Sequence, residues 1–175
     1  MNHQEKLIRQ YYEWKGYIVR GNIKVGRLKH GGWAGELDIV AYLPENGHLI
    51  HLEPSIDSLS WERREPRFKK KFQMGRKYIR KEVFPWLDRG TPIEQVAILI
   101  TSSRKTLAGA RIQSIDEFMS NVKNDVIEMR IMAKNAIPQE FDLLRTIQMA
   151  IRGYHGTGSR SHNETLKSLA QVRAP

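Results

Sequence analysis

The stretch GELDIVAYLPENGHLIHLEPS, residues 35–55, decides the predicted fold because it reads as two strands joined by a turn. Apolar and polar side chains alternate in GELDIVAY, and the apolar run HLIHLE follows PENG, whose proline, asparagine and glycine favour a turn. Side chains two apart share a face of a strand, which groups Glu36 with Asp38 and Glu53 with Ser55. If the turn pairs the strands, Asp38 and Glu53 converge at one edge of the sheet.

Periodicity predicts further elements on both sides of this hairpin. Before the hairpin they are a helix over 3–14 and an extended segment over 17–25. After it comes a long helix from about Pro66 to Val83, with Phe68, Phe72, Ile79 and Val83 on its inner face, and then a strand over 95–101. The last elements are a helix from the Ser114 and Glu117 capping box to about Val122, a strand around Ile127, Met129 and Ile131, and a helix over 141–151. This order predicts an α/β fold in which a mixed sheet is flanked by helices on both sides.

The domain organisation follows from length and composition. A chain of 175 residues has room for one sizeable core, so residues 1–152 are expected to form a single domain. After Gly153 the composition turns to glycine, serine, histidine and threonine, which predicts a flexible linker. A short helical arm is expected at the end of this tail, within residues 153–175.

The charge of the chain points to a polyanionic partner. Lysine and arginine number 29 against 19 acidic residues, giving a formal net charge of +10 and a pI near 9.9, and nucleic acid is the leading candidate. No run of about 18 apolar residues is present and the N-terminus is polar, so a soluble, cytoplasmic protein without a membrane partner is expected. The absence of cysteine excludes disulfides, thiolate catalysis and cysteine-bound zinc.

Two converging carboxylates favour a cation, because they repel each other unless a proton or a positive ion compensates. Mg²⁺ prefers hard oxygen ligands and commonly uses one or two protein carboxylates. Asp38 and Glu53 therefore predict a site for Mg²⁺ or Mn²⁺. Ordinary polar residues at a strand edge are the alternative interpretation.

An early Glu5 in a first helix, the G-E-x-D-I-V strand and an apolar strand ending in Glu53 together resemble the PD-(D/E)xK nuclease superfamily, in particular its Mrr-like and Holliday-junction-resolvase-like branch. The resemblance implies a restriction-endonuclease-like fold that hydrolyses nucleic acid, with DNA as the expected substrate and a homodimer as a possible assembly. It also implies roles for single residues. Asp38 and Glu53 become metal ligands, the backbone carbonyl of Pro54 a third ligand, Glu5 an outer acid and Glu36 an assisting carboxylate.

The chain departs from the family pattern at Ser55, where the family has lysine. An uncharged hydroxyl cannot stabilise negative charge on phosphate oxygens as an ammonium does, so a cation must come from elsewhere. The long helix offers one, because residues 63–81 carry ten basic side chains against Glu65 alone. Advancing about 100° per residue places Lys71 on one flank and Lys69 on the other, and either could lean toward Ser55.

The remaining basic side chains of this helix are predicted to contact phosphates without reading sequence. They are Arg63, Arg64, Arg67, Lys70, Arg76, Lys77, Arg80 and Lys81. A solvated helix face is the alternative interpretation. Trp33 and Trp61 could stack on bases, although large aromatic side chains more often fill a core. His48 and His51 straddle the second acidic strand and His30 precedes the first. A histidine could act as a ligand or a base, although a surface position or a structural hydrogen bond is the more common role.

These observations together predict a metal-dependent endonuclease in which the carboxylates hold the ion, the ion activates water, and a helix lysine balances the charge. Two alternatives stay open. One is a nucleic-acid-binding module of the same fold that lost turnover with the lysine at position 55. The other is an interaction scaffold whose basic helix contacts an acidic protein.

Overall fold

The computed structural model describes residues 2–100, 102–128 and 136–152, and the chain divides into two compact units with the boundary after Val122. The predicted linker and terminal arm over 153–175 lie outside the described residues. So do Met129 and Ile131 of the strand predicted near the C-terminus. The single domain over 1–152 stays a prediction.

A six-stranded mixed sheet forms the centre of the first unit, which confirms the predicted α/β architecture. The elements are α1 (His3–Trp14), β1 (Ile18–Arg27), β2 (Trp33–Leu43), β3 (His48–Ser55), α2 (Trp61–Tyr78), a π-helical turn (Ile79–Val83), β4 (Ile93–Leu99), β5 (Thr106–Leu107), β6 (Ala110–Ser114), α3 (Ile115–Glu128) and α4 (Asp142–Arg152). The strand order is β1-β2-β3-β4-β6-β5, with β3, β4 and β6 parallel and the other neighbours antiparallel. Within the described residues, none of the helices has the length and apolar character needed to cross a membrane.

The predicted hairpin of β2 and β3 forms around the PENG turn. Gly47 closes it with a φ of 73° and donates its N–H to the carbonyl of Leu43 at 2.9 Å. Glycine adopts such a positive φ without the steric cost that a side chain brings. The strands pair in a register that includes Ile39 opposite Leu52, and continuing that register places Asp38 opposite Glu53.

The core lies on both faces of the central strands. Every residue of β3 after His48 is buried, as expected for a strand with neighbours on both edges and layers on both faces. Helix α2 covers one face with its predicted inner side, which includes the fully buried rings of Phe68 and Phe72. Burying each ring contributes on the order of 2 kcal/mol, so this contact holds α2 firmly against the strands that carry the carboxylates.

Helix α2 begins earlier than predicted. It starts at Trp61, so Pro66 lies inside the helix rather than in its first turn. Proline favours the first turn of a helix and so predicts a start near Pro66, but the preceding WERRE segment is also helical. The end of the helical segment at Val83 is as predicted, through the π-helical turn.

Two further predictions near the C-terminus need correction. Helix α3 continues to Glu128 instead of ending at Val122, which places Ile127 in a helix and not in a strand. The β5–β6 hairpin was not predicted. Its turn contains Ala108 at a φ of 51° and Gly109 at 80°, and alanine is an unusual residue at a positive φ. The expected cap of α3 is present, because the Ser114 hydroxyl accepts the N–H of Glu117 at 3.0 Å.

The second unit contains α4 and the segment that leads into it. Gln148 accepts the N–H of Ile137 at 3.0 Å, and Arg145 donates to the carbonyl of the same residue at 3.0 Å. Ile137 and Leu144 are fully buried. These contacts fix the segment against its own helix.

Candidate active site

Lys71 of α2 joins the two predicted carboxylates. Its Nζ lies 2.6 Å from Asp38 Oδ2 and also donates a short hydrogen bond to Glu53 Oε2. The choice left open between Lys71 and Lys69 is thus decided for Lys71, while Lys69 is exposed. The sequence suggested that this lysine leans toward Ser55, but its ammonium contacts the two carboxylates directly, and the Ser55 hydroxyl bonds to Asp57. Asp38 and Glu53 therefore share one cation on the helix-covered face of the sheet.

Glu53 is the more deeply buried of the two acids, with 1% of its side chain exposed. Its Oε1 lies 2.7 Å from His51 Nε2 and accepts the backbone N–H of Asp38 at 3.3 Å. Burial alone would raise the pKa of Glu53, but the hydrogen bond from His51 and the charge of Lys71 outweigh it and lower the pKa to about 2. Glu53 is consequently ionised at neutral pH.

Asp38 has the opposite tendency. Burial, with the neighbouring Glu53 carboxylate, raises the pKa of Asp38 to about 7, although Lys71 opposes the shift. Burial would lower the pKa of Lys71, but Glu53 and Asp38 together raise it. The ammonium therefore stays charged, and Asp38 is the member of the cluster that takes up a proton near neutral pH.

A second layer of hydrogen bonds orients His51. Arg76 donates to Gln95 Oε1, which leaves the amide nitrogen of Gln95 facing His51 Nδ1 at 3.2 Å and the carbonyl of Phe72 at 2.9 Å. Because Nδ1 faces an amide donor, the ring proton belongs on Nε2, where it points at Glu53. His51 is thus neither a metal ligand nor a free base in this arrangement. It is a buried donor that positions Glu53.

Gly75 of α2 makes room for this layer. A Cβ at position 75 would lie 2.3 Å from His51 Nδ1 and 3.2 Å from Gln95 Nε2. Glycine inside a helix costs roughly 0.5–1 kcal/mol relative to alanine, so its presence here has a packing reason. The close approach of α2 is what brings Lys71 to the carboxylates.

The outer acids Glu5 and Glu36 are connected through Asn22. Asn22 Nδ2 lies 3.3 Å from Glu36 Oε1 and 3.5 Å from Glu5 Oε2, and the β1–β2 register places Asn22 opposite Asp38. Glu5 also completes the capping box of α1 with Asn2. The structure thus groups these two acids beside Asp38 without bringing either onto Lys71. Among the described residues, no hydrogen-bond partner reaches the buried Asn22 Oδ1.

Ser55 has a different partner from the one expected. Its hydroxyl donates to Asp57, which also accepts from Arg64 at 3.0 Å and Arg67 at 2.5 Å. Burial would raise the pKa of Asp57, but the Ser55 and Arg64 hydrogen bonds lower it to about 2. Arg64 is itself buried, so its predicted role as a phosphate contact is wrong; it anchors the loop after β3. Arg67 is partly exposed but its charge is balanced by Asp57.

Pro54 lies beside the site as the last but one residue of β3. The pairing of β2 with β3 reaches Leu52, whereas Pro54 pairs with Ile98 of β4. Its missing N–H therefore falls where one neighbour has already separated, which is how a central strand tolerates proline. This position keeps Pro54 next to Glu53, as the implied third ligand requires.

The exposed cations of α2 fall into two groups. Arg63 and Lys70 face solvent, as predicted for Lys70. Toward the C-terminal end, a basic cavity of about 500 Å³ is lined by Arg76, Lys77, Arg80, Lys81, Pro85, Leu87 and Arg89. Two of its arginines are held by neutral acceptors, because Arg76 donates to Gln95 and Arg80 donates to the carbonyl of Thr91 at 2.6 Å. The positive charge of the basic cavity is therefore fixed in place and available to an anion.

Asp38, Glu53 and the carbonyl of Pro54 are the donor set available to a divalent ion. In the part of the chain that the structure describes, no group of three or more acidic or histidine side chains is arranged as a metal site. Two carboxylates and a neighbouring carbonyl nevertheless match the small protein contribution that Mg²⁺ uses, and Asp38 and Glu53 already share one cation. The residues fit the ion, with the ammonium of Lys71 as its competitor.

Comparison of the chain with models of known protein families finds no match, and comparison with curated protein sequences finds none either. Sequence reasoning missed Gln95 and Asp57 as partners in the site. Gln95 lies in β4 directly before its apolar run, and Asp57 follows Ser55, the last residue of β3, by two residues. A polar residue in or beside a buried strand is the feature of the sequence that could have identified both.

Proposed function

We propose that the protein is a metal-dependent nuclease with a restriction-endonuclease-like fold, which hydrolyses phosphodiester bonds in DNA. The observation that carries the proposal is the contact of Lys71 with both Asp38 and Glu53. Two strand carboxylates and a lysine on one face of the sheet are the groups that the PD-(D/E)xK resemblance requires. Here a neighbouring helix supplies the lysine that Ser55 does not.

Asp38, Glu53 and the carbonyl of Pro54 would hold Mg²⁺ or Mn²⁺. Such an ion, when bound, lowers the pKa of water and stabilises negative charge on phosphate oxygens. His51 keeps Glu53 ionised and fixed in orientation, which preserves a full negative charge for the cation. Burial on the helix-covered face strengthens each of these electrostatic interactions, because screening by water is reduced there.

Lys71 supplies the positive charge for the phosphate. Its ammonium lies where the two carboxylates converge, so a phosphate that approaches the site meets a cation and not two uncompensated negative charges. Charge stabilisation of this kind is commonly worth a hundredfold or more in rate when one group is removed. The basic cavity and the exposed face of α2 supply contacts that position the strand without reading its sequence.

A second candidate function is a binding module that does not cleave. It is favoured by the same ion pairs, since the Lys71 ammonium satisfies both carboxylates without any metal. In that case the cluster is a structural salt bridge and the basic surface of α2 is the functional part.

A nicking assay separates the two functions. Supercoiled plasmid and branched DNA are incubated with Mg²⁺ or Mn²⁺ and with wild-type protein, Asp38→Asn or Glu53→Gln. The nuclease proposal expects nicked product from wild type alone, and product abolished by chelation. Glu45→Gln serves as the control, because Glu45 is exposed in the turn of the same hairpin. Absence of product with every substrate, or equal product from wild type and both carboxylate variants, would leave only the binding module.

A further inference from the structure

A cavity of about 600 Å³ lies where β3 and β4 end, beyond Glu53. It is lined by four large apolar side chains (Ile56, Leu59, Trp61 and Ile100), by three serines, and by Asp57 and Arg64. Apolar surface with a few polar groups is the usual composition of a site for an organic ligand. The nuclease chemistry uses none of its apolar residues.

Two isoleucines of this cavity are exposed side by side. Ile56 is 65% exposed and Ile100 is 46% exposed, and they follow Ser55 and Leu99, which are paired in the parallel register of β3 and β4. Isolated exposed apolar side chains need no explanation, but an adjacent pair at a cavity indicates a contact surface. It lies two residues beyond Pro54, the residue adjoining Glu53.

Trp61, the first residue of α2, lines one side of the cavity and is already stacked with two arginines. The Arg64 guanidinium lies 5.2 Å from the centre of its ring and the Arg104 guanidinium 4.7 Å from it. Arg64 is fixed by Asp57, so the indole is held in one orientation. An immobilised aromatic ring flanked by arginine is the arrangement with which proteins stack unpaired bases.

The cavity is close enough to the carboxylates to act on the same nucleic acid. Arg64 and Lys71 lie two helical turns apart on α2, which corresponds to about 10 Å along the axis. The exposed side chains of Lys69 and Lys70 lie between them in the helix, and their charges favour a phosphate backbone that passes from the cavity to the carboxylates. An apolar protein segment would gain from the isoleucines but not from these cations.

We propose that this cavity binds an unpaired base, so that the substrate is a nucleic acid with a single-stranded nucleotide next to the bond that is cut. The inference rests on the nucleic-acid binding in the proposed function, and it adds the class of substrate. The base stacks on Trp61 and contacts Ile56 and Ile100, while the serine hydroxyls offer hydrogen bonds to its edge. Blunt duplex DNA cannot fill the cavity because its bases are paired and stacked.

Binding measured without metal tests the proposal apart from cleavage. Affinities for a single-stranded oligonucleotide, a duplex with an overhang and a blunt duplex are measured in chelator by fluorescence anisotropy, with 2-aminopurine in the overhang as a reporter of stacking. Wild type is expected to prefer the two unpaired substrates by at least tenfold. Trp61→Ala is expected to lose most of this preference, Trp61→Phe to keep most of it, and Trp86→Ala, which alters an exposed tryptophan elsewhere, to leave it unchanged.

Several results would overturn the inference. Equal affinity of wild type for blunt and unpaired substrates is one, and an equal loss for both substrates in Trp61→Ala is another. Light scattering supplies a third, because a dimer that Ile56→Ser converts to monomer would identify the isoleucines as a contact between two copies. Plasmid nicking is measured independently of these binding experiments. The proposal of a base-binding cavity can therefore be refuted while the proposal of a nuclease is supported, and the nuclease can be refuted while the cavity is supported.

Discussion

Replacing Asp38 by asparagine is expected to change how stability depends on pH. Burial and the Glu53 carboxylate raise the pKa of Asp38 from 3.8 to about 7 in the folded chain. Between these values the folded state binds more protons than the unfolded state, so the free energy of unfolding falls as pH rises through this window. Glu53 contributes slope only at the acid end of this window, because its pKa is lowered from 4.5 to about 2 and its stabilising effect is complete once the pH is well above 4.5.

The magnitude follows from the same shift. Each pH unit corresponds to at most about 1.4 kcal/mol, and the window spans roughly three units, so the upper limit is about 4 kcal/mol. Residual exposure of the Asp38 side chain, 14%, allows water to screen these interactions and reduces this limit, and we expect about 2 kcal/mol. Asparagine has nearly the same shape and still offers an oxygen to Lys71, but it does not titrate.

Urea unfolding of wild type and Asp38→Asn between pH 4 and pH 8, in chelator, measures the effect. The difference in free energy of unfolding between the two proteins should shift by about 2 kcal/mol in favour of the variant from the acid to the alkaline end. Groups common to both proteins cancel in this difference. Parallel pH curves would refute the proposed coupling of Asp38 to Glu53.

Three further outcomes are expected. Lys71→Met should bind Mn²⁺ more tightly than wild type, since it removes the competing ammonium, yet cleave DNA at least a hundredfold more slowly; equal or weaker Mn²⁺ binding in isothermal titration would argue against the competition. Gly75→Ala should destabilise the fold by about 2 kcal/mol in thermal unfolding despite the higher helix propensity of alanine, because its Cβ displaces His51; unchanged stability would contradict that packing. Lys77→Glu should weaken DNA binding and reduce the dependence of log affinity on log salt by about one unit, whereas Lys24→Glu on exposed β1 should change neither; equal effects of both would remove the basic cavity from the interface.

The convergence of the two carboxylates was predictable from local signals alone. Alternation determines the faces of Asp38 and Glu53, and the turn at Pro44–Gly47 determines their register, so the signals that bring them together all lie within residues 35–55. The basic helix was also predictable, since its apolar side chains recur at helical spacing. A segment with a clear hydrophobic period, bounded by turn-forming residues, specifies its own secondary structure.

The partners of the carboxylates were not predictable in the same way. Lys69 and Lys71 lie about 200° apart on the helix, and only the tertiary position of α2 decides which of them meets the sheet. Gln95 reaches His51 through the parallel pairing of β3 with β4, a contact between residues 44 positions apart in the chain. The β5–β6 hairpin was missed because Ala108 occupies a turn position where glycine or asparagine would have been the signal.

Titration of Mn²⁺ followed by the electron paramagnetic resonance signal of the free ion tests the central claim most directly. The claim is that Asp38 and Glu53 hold one divalent ion next to Lys71. Wild type and Glu45→Gln are expected to bind one ion with equal affinity, and Asp38→Asn and Glu53→Gln to bind it at least tenfold more weakly. If wild type binds no ion, or if the two carboxylate variants bind it as tightly as wild type, the cluster is not a metal site.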